Sequence, residues 1–290
     1  MSTQVVCREL ILAYDGACPM CTSTVALLVR YGLVRPEQAV SNEALPADEL
    51  EAAQAAGLRN QLVVLDRGSH AARAGIPALL WIVGENFAWP WWVRVLSLPG
   101  VRHLLSAFYE TISYNRRVIS PPRRSVRCDC EPQVTTAMRL RLIVPLTVFV
   151  LTTAALVGAG VFLGSGLGTT AQGAILAPVV LGAGWAALVV AAILLLRGEQ
   201  RIDYVAHLAV TAFVGALVLW PLGLVGWWLP EQGIALVGAA LATLALALMF
   251  RMQRRRVVAV GLGSSWLWAW TLLVTAPPVL AYSAAWLARG

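Results

Sequence analysis

The chain has 290 residues, of which 59% are hydrophobic and only 13% charged, and its mean hydropathy of +0.71 excludes an ordinary soluble protein. The formal net charge of +7 does not point to nucleic acid, because the arginines flank apolar runs and build no separate basic face. All five cysteines, and all of the 15 acids except Glu199, Asp203 and Glu231, fall within residues 1–141, so two parts of the chain meet two kinds of solvent.

The first residues, MSTQVVCRELILAYDG, carry no basic start, long apolar run or small-residue cleavage site. No secretory leader is expected, and the amino terminus is expected to stay in the cytoplasm. Residues 5–14 are rich in Val, Ile and Leu and stop at Asp15-Gly16, the pattern of a buried strand ending in a tight turn. Pro19 then stands where a first helical residue belongs, Val25, Leu28 and Val29 share one side of residues 22–31, and Gly32 follows as a stop. Cys18 and Cys21 therefore lie at a strand-to-helix junction. A second strand is expected within residues 35–45, a stretch poor in strand formers. Beyond it, residues 47–56 read as a helix closed by Gly57, 61–66 (QLVVLD) as a short buried strand, and 77–83, 91–98 and 101–114 as helices. This alternation is compatible with a small thioredoxin-like α/β unit with a helical extension.

Residues 115–133, NRRVISPPRRSVRCDCEPQ, pair prolines with repeated arginines and show no periodicity, so they read as a linker. The expected organisation is an α/β domain over residues 1–118, a basic linker over 119–140 and an all-α transmembrane bundle over 141–290. Five apolar stretches of bilayer-spanning length are expected there, at 142–164, 174–196, 204–229, 233–250 and 257–276, with Pro277-Pro278 kinking or ending the last. Arg123, Arg124, Arg127, Arg139 and Arg141 precede the first, Arg197 and Arg201 follow the second, and Arg251, Arg254, Arg255 and Arg256 follow the fourth, whereas 165–172 and 230–232 hold no Lys or Arg. That asymmetry predicts a cytoplasmic amino-terminal domain on a lipid bilayer.

Two cysteines at a helix start have a physical logic. Free N–H groups and the positive end of the helix dipole favour a thiolate at Cys18, and Cys21 stands one turn away, close enough to form a disulfide. Other readings remain. Cys128 and Cys130 offer a second close pair, so a four-thiolate zinc or iron–sulfur site, or redox sensing without catalysis, is a different use of the same residues. Alternatively Cys128 and Cys130 form a secondary dithiol that exchanges with Cys18, or two idle thiols. Cys18 and Cys21 as inert buried thiols is the plainest reading, and Cys7 is expected to be buried and inert. Asp15 either tunes the dithiol and moves a proton or caps the turn into the helix.

The stretch Tyr14-Asp15-Gly16-Ala17-Cys18-Pro19-Met20-Cys21 resembles the signature of the DCC family of thiol–disulfide oxidoreductases, a bacterial thioredoxin-like group named for its Asp, Cys and Cys. The likeness continues through VALLVRYG, VVLDRG, AGIPALLW and the closing WVRVLSLPGVRHLLSAFYETISYNRR, over about residues 5–118. It implies that Asp15, Cys18 and Cys21 hold the family's motif positions. It also implies a redox partner that is a protein or a small thiol.

The spans contain no cysteine, which argues against a thiol relay across the membrane. Their ionisable candidates are Asp203 and His207, four apart with Tyr204 beside them; an N-cap with a helix-to-helix hydrogen bond competes here with a proton, quinone or metal site. No phosphate loop, nucleophile elbow or zincin motif is visible. The expectation is a thiol–disulfide oxidoreductase of the bacterial inner membrane, exchanging through Cys18 and Cys21, with no cofactor, no metal and no nucleic acid.

Overall fold

The computed structural model describes residues 9–121, 135–165, 170–225, 228 and 231–287. The chain divides into two compact units, residues 1–138 and 139–290.

The first unit is built on a four-stranded sheet of order β2-β1-β3-β4, formed by β1 (Leu10–Tyr14), β2 (Ala39–Ser41), β3 (Val63–Asp66) and β4 (Ala72–Ala74). β1 runs parallel to β2 and antiparallel to β3, which is antiparallel to β4. This is a thioredoxin-like arrangement. Because side chains alternate along a strand, Leu10 and Leu12 of β1 face one layer with Val64, while Ile11 and Ala13 face the other with Val63 and Leu65. Both faces are covered, which is why β1 reads as an unbroken apolar run and not as an alternating one.

One layer is α1 (Pro19–Arg30), α3 (Gly75–Asn86) and α4 (Trp91–Leu96), which contribute Val25, Ala78, Trp81, Ile82 and Val93 to the core. The other is α2 (Ala47–Ala56), which contributes Ala53. α2 ends at Gly57, whose φ of +111° a side chain would strain. Gly75 starts α3 at φ +67°, donates to the Leu62 carbonyl at 2.9 Å, and leaves no room for a Cβ against the Gln61 side chain. α5 (Pro99–Tyr114) and the short α6 (Arg116–Ile119) complete the unit.

Several expectations are corrected in detail. The second strand is only three residues, and β4, in a sequence of Ala-Arg-Ala, had no signal of its own. Its pairing with Val63, Val64 and Leu65 supplies the backbone hydrogen bonds that its composition does not advertise.

The second unit consists of α7 (Thr136–Ser165), α8 (Thr170–Leu195), α9 (Glu199–Val225), α10 (Glu231–Ala259) and α11 (Ser264–Leu287). Among the described residues four helices, α7 to α10, are long and apolar enough to cross a membrane, where the sequence reading expected about five. The stretch expected as the fifth span, 257–276, is divided: residues 257–259 close α10, which runs on through Arg254, Arg255 and Arg256, and α11 starts only at Ser264. Arginine is a good helix former, so a basic run does not by itself end a helix.

α9 is the central helix, with half of its spanning window buried against 17–28% for the other three. α8 meets α11 at Gly184, where a Cβ would strike the Leu273 carbonyl, and α7 meets α8 where Gly158 faces Gly173. Asp203 lies inside α9 and not at its cap. Its Oδ1 accepts from Arg139 Nε at 2.8 Å. His207 Nδ1 is 2.9 Å from Arg256 Nη1, and Thr211 donates to Gln253 Oε1 at 3.1 Å. These polar groups, all buried except the half-buried Asp203, hold α9 to α7 and α10.

Candidate functional site

The site begins where β1 runs out. Asp15, Gly16 and Ala17 turn the chain at the carboxyl end of a central strand, and α1 starts directly after it. The turn is held from two sides. Asp15 Oδ1 accepts the Ala17 amide at 3.0 Å, and Asn42 Oδ1, arriving from just beyond β2, accepts the Gly16 amide at 3.1 Å. The Asp15 carbonyl accepts the Cys18 amide at 3.3 Å.

Cys18 occupies the N-cap of α1, a position more often held by Ser, Thr, Asp or Asn. Its Sγ accepts the Cys21 amide at 3.4 Å, so sulfur does the work of a capping oxygen. Pro19 follows at the first helical position, where its missing N–H costs nothing. Thr22 binds back to the Cys18 carbonyl through both its amide, at 3.0 Å, and its hydroxyl, at 3.1 Å. Asp15 therefore braces the turn, and the helix itself is capped by sulfur.

Cys18 and Cys21 are free thiols, the first buried and the second half-buried. The Cys18 thiol is pushed down from the ordinary 9.0 to about 6, first by a hydrogen bond from the Cys21 thiol, then by the Cys21 amide, the Arg116 charge and the Met20 amide, all acting against burial. Cys21 moves the opposite way. It is raised by holding the bond to Cys18, by burial and by the negative charge that Cys18 carries. The two sulfurs are thus made unequal, one a thiolate near neutral pH and the other a retained proton donor.

Arg116, at the start of α6, enters the site from the far end of the unit. Its Nη2 lies 3.2 Å from Asp15 Oδ2 and 2.9 Å from the Arg59 carbonyl, and the two side chains of the ion pair are 4% and 3% exposed. Asp15 alone, so near the thiols, would oppose a thiolate. Paired with Arg116 its charge is balanced, and the cation contributes to lowering Cys18.

Tyr109 of α5 packs behind the pair. Its hydroxyl accepts the Leu62 amide at 2.9 Å, and burial, its largest influence, raises its pKa. Ser113 Oγ donates to the Asn60 carbonyl. α5 and α6 thereby clamp the loop that leads into β3.

Residues 12–121 match the family model described as DCC1-like thiol–disulfide oxidoreductase. Over this stretch the amino-terminal unit is similar to that family. The match covers this domain and none of the membrane helices, and no curated protein or solved structure matches the chain.

The amino-terminal unit places Asp15, Cys18 and Cys21 side by side at the end of β1 and the start of α1. Arg116 and Tyr109 were not singled out from the sequence, although both lie in the closing stretch, FYETISYNRR, that carried part of the resemblance. Cys7, Cys128 and Cys130 lie outside the described residues, so a secondary dithiol or a four-thiolate site has no geometry here. Among the described residues no group of three or more His, Cys, Asp and Glu side chains is placed to hold a metal ion.

Proposed function

We propose that the amino-terminal unit exchanges a dithiol for a disulfide through Cys18 and Cys21, on the cytoplasmic side of a bacterial inner membrane in which the carboxyl-terminal helices anchor it. The observation that carries the reading is Cys18 Sγ at the N-cap of α1, with the Cys21 amide at 3.4 Å and the buried Arg116 cation nearby.

In the reducing direction the Cys18 thiolate attacks one sulfur of a partner disulfide. The Cys18–partner bond forms as the partner S–S bond breaks, and the departing thiolate takes up a proton. Cys21 then loses its proton and attacks the Cys18 sulfur, forming the Cys18–Cys21 disulfide and releasing the second partner thiolate. Two electrons pass to the partner, and each step is reversible. Asp15 positions Arg116 and the turn amides for this. The cytoplasmic assignment is supported by the arginine-rich ends of the membrane helices.

The test is trapping. In membranes from cells expressing Cys21→Ser, a mixed disulfide at Cys18 should accumulate and dissolve on reduction, and Cys18→Ser should yield none. Absence of any trapped adduct, together with stoichiometric zinc on the purified wild-type chain, would instead establish the metal-binding or redox-sensing use of these thiols.

A further inference from the structure

The outer side of the helical extension lacks the polar coat of a helix that faces water. α5 turns Tyr109 and Ser113 inward. On its opposite side Gly100, Leu104, Ala107 and Phe108 recur at the spacing of a single helix stripe, and Leu104 and Phe108 are 71% and 66% exposed. α4 adds Trp91, 75% exposed, and Val95 one turn later, and Leu98 stands exposed between the two helices. Single exposed apolar residues are ordinary, but five large ones along two consecutive helices and the link between them are not.

Arg94 follows Trp91 by about one turn of α4 and is exposed, and the one acid of α4 and α5, Glu110, is half-buried. Residues 37–51, leading into and along α2, hold Glu37, Glu43, Asp48, Glu49 and Glu51 and no Lys or Arg. An apolar stripe with a tryptophan and an arginine beside it is the composition of a helix that lies in a membrane interface. The same chain enters its first apolar helix at Thr136, 22 residues beyond the end of α5 at Tyr114, so a bilayer is at hand.

We infer that the outer face of α4 and α5 lies on the bilayer surface, with Trp91, Val95, Leu98, Leu104 and Phe108 in the apolar boundary and Arg94 on anionic headgroups. The acidic α2 side is repelled by the same surface. This inference does not depend on what the thiols do.

The test places a photoreactive benzophenone amino acid at position 104 or 108 of the full chain, with position 51 as a control on the acidic side. The protein is reconstituted in nanodiscs containing phosphatidylglycerol, irradiated and weighed by mass spectrometry. Adducts of lipid mass are expected at 104 and 108 and not at 51. They should fall about fivefold for Arg94→Gln, and fall likewise in phosphatidylcholine alone. Adducts joining these positions to protein, labelling no greater than at 51, or lipid labelling unchanged by the headgroup or by Arg94→Gln would overturn the inference.

Discussion

The Arg116 guanidinium lies 3.2 Å from the Asp15 carboxylate across a sequence separation of 101 residues, with both side chains out of contact with water. A buried ion pair is retained only when its geometry offsets the loss of hydration. Here the pair sits under the turn that presents the two thiols, and it lets an acidic residue brace that turn without opposing a thiolate three residues later.

Removing the cation leaves Asp15 buried and uncompensated. Arg116→Ala is expected to destabilise the amino-terminal unit by about 3 kcal/mol or more, and to move the Cys18 titration from about 6 back toward the ordinary thiol range. Asp15→Asn, which keeps the cation, should leave the midpoint at or below its present value. Rates of alkylation by iodoacetamide against pH measure both. An unchanged midpoint in Arg116→Ala would show that the arginine is structural alone.

The unequal thiols predict a break in the redox titration. Below pH 6 reduction of the disulfide takes up two protons with two electrons, and the potential should fall about 59 mV per pH unit. Above pH 6 Cys18 remains a thiolate and Cys21 keeps its proton, so one proton is taken up and the slope should halve to about 30 mV. The sign follows from a lowered acid: the stabilisation of the reduced fold is complete above the ordinary thiol value of 9.0 and is lost as pH falls through about 6. Equilibration with glutathione over pH 5–9 measures the slope; a constant 59 mV would contradict the thiolate.

Tyr109→Phe separates packing from electrostatics. The lost hydroxyl leaves the Leu62 amide without the acceptor it has at 2.9 Å, a cost of about 1–3 kcal/mol. Thermal unfolding should register the loss, while the Cys18 alkylation midpoint stays near 6, because the groups that lower it are Cys21, Arg116 and Met20.

In the membrane unit two glycines on α8 should behave differently. Gly184→Ala drives a methyl into the Leu273 carbonyl of α11, whereas Gly182→Ala meets nothing within 4 Å. Overpacking of that kind costs about 1–3 kcal/mol. Thermal aggregation of the purified protein in detergent is expected to start at lower temperature for Gly184→Ala and to be unchanged for Gly182→Ala.

Local rules made much of this protein legible. An apolar strand stopped by Asp-Gly, a proline at a first helical position and a dithiol one helical turn apart are patterns within ten residues, and residues 47–56 with Gly57 could be read to the residue as α2. Long apolar stretches likewise announce membrane helices, because hydrocarbon thickness sets their length. Tertiary structure decided what distant segments supply. β4 is a strand only because β3 offers it a ladder, and Asn42 reaches the Gly16 amide only because β2 lies beside β1. The expected boundary between fourth and fifth spans failed because arginines continue a helix as readily as they flank one. Arg116 is the clearest instance: in sequence it opens a basic linker, and in the fold its charge is buried beside Asp15. Sequence spacing fixes which side chains are one turn apart, whereas pairing a carboxylate with a guanidinium from the far end of a domain depends on how the chain folds back on itself.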